Sequence, residues 1–268
     1  MIGAALVLFV LALGLFGPWL APHPPAQQFR GDLLIDGLPV GPFEVEGFPL
    51  GADPLGRDLL SRLLHGARLS LSIALLATLI ATVIGVSVGL ISGYAGGLID
   101  GVAMRFVDLI LSLPFLLIAI VIQKSLDGAG ILFISVLLGV LSWTGLARIT
   151  RAKTLQARNL EYVEAARALG YGELRILFRH VLPNIVGPAL AIGTLMVANM
   201  ILAESALSFL GFGLAPPAAS WGSMLSESQS LMEWQPTLTI FPALLISATV
   251  FGFNLLGEGL RDAFDAKL

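Results

Sequence analysis

Apolar positions along this chain gather into long runs without a single charge, at residues 1–22, 69–99, 109–123, 128–147, 181–203 and 234–257. Most reach the roughly 18–20 residues that cross a hydrocarbon core of about 30 Å. A backbone in hydrocarbon must satisfy its own hydrogen bonds, so each run predicts a helix, six in all. The run 109–123 is short alone. Starting its helix near Met104 places Arg105 and Asp108 at the membrane edge as an i, i+3 pair, worth about 0.2–0.5 kcal/mol. Pro114 then lies inside that helix and should kink it.

The polar intervals divide the chain further. APHPP (21–25) ends the first run, because proline cannot continue the helical ladder. Residues 26–52 are rich in Gly, Pro and acidic side chains and read as a loop. Asp53 and Pro54 predict an N-cap followed by the first helical position. In DPLGRDLLSRLLHGAR (53–68), Leu55, Leu59 and Leu63 share one face while Arg57, Asp58 and Arg62 point elsewhere, the pattern of a helix lying in the membrane interface. The span at 69–92 carries Ser70, Ser72, Thr78, Thr82, Gly85, Ser87 and Gly89, small and hydroxyl residues that let helices approach closely. SGYAGGLIDG (92–101) predicts a glycine turn. The organisation expected is a first transmembrane helix at 1–22, a loop with an interfacial helix at 23–68, and a five-helix core at 69–268 holding a polar loop at 151–183. Residues 1–20 lack a basic lead-in and exceed a typical signal-peptide core, so they are read as a retained anchor.

Composition sharpens this picture. Only 12% of the 268 residues are charged and 56% are hydrophobic, with a mean hydropathy of +0.90; a soluble domain is about a quarter charged. There is no cysteine, so disulfides and thiolate metal sites are unavailable. Arg148, Arg151, Lys153, Arg158, Arg167, Arg175 and Arg179 fall between the fourth and fifth helices, whereas the loop at 206–233 has Glu227 and Glu233 and no Lys or Arg. The positive-inside rule makes the first segment cytoplasmic and the second external. Six spans then put both termini in the cytoplasm.

The stretch NLEYVEAARALGYGELRILFRHVLP (159–183) is unusually polar for its surroundings. Asn159 can cap a helix with Glu161 in its first turn, and Gly170 can end it in a left-handed C′ position. After GYG a second helix is expected with Leu174, Leu177, Phe178 and Val181 on one face, and Leu182–Pro183 opens the fifth span. The first helix has about ten residues, fewer than the roughly 12–15 that persist alone in water. Ala165 and Ala166 keep one side thin, while Glu161, Glu164 and Arg167 can pair across a partner's groove. Spacing alone leaves open a docking helix or a solvated interfacial one.

Several chemistries are excluded. Lys124, Lys153 and Lys267 follow Gln, Ala and Ala, so no phosphate-binding Gly-Lys-Ser/Thr exists and this chain is not the ATPase of any ATP-driven system. No HExxH or GxSxG occurs. No catalytic or metal-binding set is expected, and His23, His65 and His180 read as packed or interfacial. Glu204 lies about 21 residues after Pro183, one bilayer core at 1.5 Å per residue, hence near the outer mouth of its helix. There it is either a hydrated or structural carboxylate or a gate. Ser87, Asn199 and Asn254 either line a path or bond between helices.

Glu164-Ala165-Ala166, three residues, Gly170, nine residues, and then Leu-Pro at 182–183 resembles the EAA loop of ABC importer permeases. RHVLPN (179–184) is similar to the dipeptide, oligopeptide and nickel branch, as are the stretches at 51–71, 105–114, 203–213, 216–225 and 254–264. His180 departs from the family's usual isoleucine, and the insert 30–50 finds no counterpart. The resemblance implies an all-α, six-helix permease of the type I importer kind. Its coupling helix, with Glu161, Glu164, Ala165, Ala166, Gly170, Arg175, Leu182 and Pro183, would dock into a cytoplasmic ATPase subunit. It further implies two ATPase subunits that hold ATP and Mg, a homologous second permease, an external solute-binding protein, a bacterial inner membrane and a peptide cargo. This chain itself would bind no cofactor and no nucleic acid. Nickel or another small solute is the alternative cargo. An ion-coupled secondary transporter is the rival class, disfavoured by spans without midplane charges; a non-transporting scaffold is the other.

Overall fold

The computed structural model describes residues 1–126 and 130–265. Among the described residues four helices are long and apolar enough to cross a membrane: α1 (Ile2–Leu20), α3 (Leu59–Ala95), the run Glu173–Phe209 and α12 (Thr237–Asp265). Between α1 and α3 lie the four-residue α2 (Arg30–Leu33) and a two-stranded hairpin, β1 (Leu34–Ile35) and β2 (Leu38–Pro39), with Leu34 opposite Pro39. Two bent pairs complete the bundle: α4 (Gly97–Leu111) with α5 (Phe115–Ser125) at 84°, and α6 (Ile131–Ser142) with α7 (Thr144–Ala157) at 46°. Counting each pair as one span brings the total to the six expected.

The sharper bend has a local cause. Residues 112–114 separate α4 from α5, and Pro114 is the N-cap of α5, so the proline breaks the helix where a kink was expected. Asp108 pairs with Arg148 of α7, and Asp100 with Arg151, so the predicted partner Arg105 is replaced by residues of another helix.

α3 departs most from expectation. It is one helix of 37 residues, about 55 Å at 1.5 Å per residue, with no separate interfacial helix ending at 68. Asp58 caps it by accepting from the Ser61 N–H at 3.1 Å. Asp53 sits before the helix and accepts instead from the N–H groups of Leu55 and Arg57, both at 2.9 Å. The glycine turn is correspondingly short, and only Gly96, at φ +66°, separates α3 from α4.

α3 is the central post of the bundle. Its Gly85, Gly89 and Gly93, one turn apart, face α7: a Cβ at Gly85 would lie 2.8 Å from the Trp143 carbonyl, one at Gly89 would strike that of Ala147, and one at Gly93 would lie 2.7 Å from that of Arg151. Small residues thus bring two backbones together, as is usual in lipid. The buried core runs through α1, α3, α6, α7, α10 (Leu182–Phe209) and α12, with Ile73, Ala74, Leu138, Ile201 and Leu207 almost fully enclosed. Elements not foreseen are α2 and the β1–β2 hairpin, in what was read as a loop, and α11 (Trp221–Ser228), a helix inside the loop 206–233, capped by Ser220 and Ser223 and sunk into the bundle by a fully buried Trp221.

Candidate coupling surface and translocation path

α8 (Glu161–Ala168) lies at the end of the molecule where α3 finishes. Its N-cap is Leu160, and Asn159 makes no cap. Val163 and Ala166 turn inward onto Ile176, Leu177, Val181 and Ile185, a small core that also takes Leu90 of α3. Glu161, Glu164, Ala165 and Arg167 face outward. The two alanines therefore do different work: Ala166 is buried and Ala165 is the thin exposed side. Gly170 ends α8 at φ +80° with the paired bonds of a Schellman motif, Tyr171 N to Ala166 O at 3.1 Å and Gly170 N to Arg167 O at 3.0 Å.

The chain then forms α9 (Glu173–Ile176) and a π-helical turn, Leu177–Val181, that runs directly into α10. Ile176, Leu177 and Val181 are buried, whereas Leu174 and Phe178, expected on one face with Leu177 and Val181, are 72% and 60% exposed. Arg175 lies over the Tyr171 ring at 4.4 Å. Leu182 is half-buried and Pro183 exposed in the first turn of α10.

Two sets of polar contacts tie this segment to the bundle. The Tyr94 hydroxyl at the end of α3 donates to Glu173, which also accepts from Arg167 at 3.2 Å. Asn184 of α10 donates to the Tyr162 hydroxyl at 2.8 Å and to the His180 carbonyl at 2.7 Å. Burial pushes the Tyr162 phenol above its usual range, against the Asn184 amide that draws it down, so it stays neutral at physiological pH.

The four path candidates do not converge. Asn199 is exposed and lines an apolar cavity of about 430 Å³ between α5, α7 and α10, with Phe115, Ser142, Ile149 and Met196. Ser87 is exposed on α3 and Asn254 half-buried on α12, and neither lines that cavity. Glu204 is 0% exposed, which removes the hydrated-interface reading. It accepts from Ser208 at 2.7 Å and from Ser70 of α3 at 3.1 Å, and the same Ser70 oxygen accepts from the Trp221 N–H at 3.2 Å. The carboxylate is thus the centre of a joint between α3, α10 and α11.

A second polar cluster escaped the sequence. Arg57 and Arg62, expected to point outward, are 4% and 0% exposed. Arg57 binds Asp53 at 2.5 Å and Glu227 of α11 at 2.6 Å; Arg62 reaches Asp53 at 3.1 Å and Glu227 at 2.8 Å. Asp58 accepts from Ser61 Oγ at 2.5 Å and faces His23 at 3.4 Å. The only hint was that 53–62 carries four charges of mixed sign, two acidic and two basic, on a pattern too apolar to be solvated throughout.

A bundle of broken and continuous apolar helices, with a short capped helix held outside its end, defines a multi-pass membrane protein. The chain belongs to the family described as binding-protein-dependent transport system inner membrane component, which it matches over residues 85–268, and residues 1–35 match the N-terminal TM domain of oligopeptide transport permease C. It is 43% identical over 264 residues to the oligopeptide transport system permease protein OppC of Escherichia coli (strain K12), covering 98% of this chain and 87% of that protein. Against the dipeptide transport system permease protein DppC of Bacillus subtilis (strain 168) it is 41% identical over 269 residues, covering 100% and 82%. The di/tripeptide transport system permease protein DppC of Pseudomonas aeruginosa (strain UCBPP-PA14) is 40% identical over 270 residues, covering 99% and 87%. In fold it is similar to a chain of the inward-facing MetNI methionine ABC transporter, with a TM-score of 0.63 at 18% identity over 76% of this chain and 96% of that one.

Proposed function

We propose that this chain is the transmembrane permease subunit of an ATP-driven ABC importer of di- or oligopeptides, and that α8 is the helix through which ATPase subunits move it. The observation that carries the reading is α8 itself. It is a helix of eight residues, too short to persist alone in water, yet capped at Gly170 and anchored on one face. Its other face offers Glu161, Glu164, Ala165 and Arg167 to a partner. Anchorage to α3 through Tyr94–Glu173 and to α10 through Tyr162–Asn184 would carry displacement of α8 into the spans. The relatives named for dipeptide and oligopeptide transport support the cargo; nickel or another small solute is the alternative, decided by what the binding protein carries.

In this reading the α8 end faces the cytoplasm, both termini included, by the excess of Lys and Arg there. Two ATPase subunits hold ATP and Mg, a homologous second permease completes the membrane unit, and an external binding protein delivers solute across a bacterial inner membrane. The permease makes and breaks no bonds.

The test is a detergent pull-down of the tagged chain expressed with its genomic neighbours, wild type beside Glu164→Lys combined with Gly170→Pro. An ATPase should co-purify with wild type and be lost from the variant while membrane insertion persists. Full retention by the variant, or no ATPase with wild type, would overturn the proposal and favour an ion-coupled transporter or a scaffold.

A further inference from the structure

The insert with no counterpart in the sequence reading folds as a small lobe at the end of the bundle opposite α8. Leu33, Val40, Phe48 and Ala52 form its core, and His23 stacks on Phe48 at 4.5 Å. The hairpin turns at Asp36 and Gly37, both at positive φ. The lobe is fastened to the segment preceding α12, where Gln235 Nε2 donates to the Val40 carbonyl at 2.8 Å. Between the two lies a cavity of about 160 Å³ with Leu38, Pro39 and Leu231 as apolar walls and Glu44, Trp234 and Gln235 as its polar members.

Three features specify what such a cavity takes. Trp234 is 75% exposed, and an indole face attracts a cation. Glu44 keeps Oε1 available while Oε2 accepts from the Gly41 N–H at 2.7 Å. Gln235 lines the wall with its amide held in place, Nε2 donating to the Val40 carbonyl. Apolar walls beside an aromatic face and a carboxylate oxygen suit an aliphatic stem ending in an ammonium or guanidinium.

The surroundings select a protein as the source of that cation. Glu44 lines the cavity, and Asp32, Asp36, Glu46 and Glu233 are further exposed carboxylates of the two segments that form it. Apart from the exposed Arg30 at the start of α2, residues 26–52 and 206–236 contain no Lys or Arg, and the nearby Arg57 and Arg62 are spent in the buried cluster. An acidic rim repels anionic lipid headgroups and attracts a basic face. We infer that the Glu44–Trp234–Gln235 cavity is a docking pocket for a Lys or Arg side chain on the face of the external solute-binding protein. This rests on the importer reading, which places that partner on the side away from α8.

The experiment uses the assembled transporter in nanodiscs of zwitterionic lipid, with the binding protein titrated at 50 and 200 mM salt. Glu44→Gln and Trp234→Ala should each weaken binding at least tenfold, Trp234→Phe should stay near wild type, and Glu44→Gln should flatten the salt dependence. The chain has no cysteine, so a benzophenone placed on Leu38→Cys in the cavity wall is a unique label on it and should capture a Lys- or Arg-bearing peptide of the binding protein. Wild-type affinity in both weakening variants, or capture of lipid or of the second permease only, would overturn the pocket. Where a weakening variant fails to assemble, the capture result decides. Co-purified ATPase is scored in every sample: its absence defeats the importer reading, whereas its presence with unchanged binding defeats the pocket alone.

Discussion

Glu204 shows how much a single buried side chain can bind together. Its two oxygens hold hydroxyls from Ser208 and Ser70, and Ser70 in turn receives the α11 backbone at Trp221. A buried polar group left without its partner costs about 1–3 kcal/mol. Glu204→Leu should therefore lower the thermal midpoint of the purified transporter clearly, while Glu204→Gln, which still offers an amide oxygen, should fall far less. Equal loss in both would mean that shape, and not hydrogen bonding, holds the joint. Gly170 makes a second residue-scale case: its φ of +80° strains any side chain, and Gly170→Ala should cost about 1–2 kcal/mol locally. Proteolysis within 160–172 should speed up while global stability holds, because the segment outside the bundle is the part that loosens.

At the scale of elements, close helix approach and a wide turn are the two devices that matter. Gly89 sits where α3 meets the α7 backbone, so Gly89→Leu cannot be absorbed by moving a flexible side chain. The expected outcome is failed assembly or a strongly lowered midpoint, whereas Gly101→Leu, where a new Cβ meets nothing within 4 Å, should be tolerated. Detergent size-exclusion of the two variants separates them. The stretch ending in the π turn at Leu177–Val181 is where helical periodicity misled: Leu177 and Val181 are buried as expected, whereas Leu174 and Phe178, grouped with them, are exposed. The helices themselves were legible because charge-free length is a local property that a bilayer demands. The break at Pro114 was legible too.

At the scale of the whole molecule, α11 and the lobe close the end of the bundle opposite α8 through charges far apart in sequence. Glu227 bridges Arg57 and Arg62, and removing one partner of a buried pair strands the other's charge, at about 3–5 kcal/mol. Glu227→Ala should sit at the lower end, near about 3 kcal/mol, since its side chain is 31% exposed and water can replace part of the carboxylate. Arg62 is fully enclosed, so Arg62→Ala, which strands Asp53 and Glu227 together, should be more damaging; urea titration of the two variants gives the order. Equal and negligible effects would show the cluster to be incidental to stability.

Helix number, the break at proline, the Gly170 stop and the outward acidic face of α8 follow from residues within a few positions of one another. Local spacing, side-chain length and the demand of hydrocarbon suffice for them. The burial of Arg57, Arg62 and Glu204 and the existence of α11 do not. Each depends on partners from more than 100 positions away, such as Glu227 for Arg62 and Ser70 for Glu204. A charge reads as exposed until its counter-ion is in view. Only the folded chain brings that counter-ion close enough to replace water.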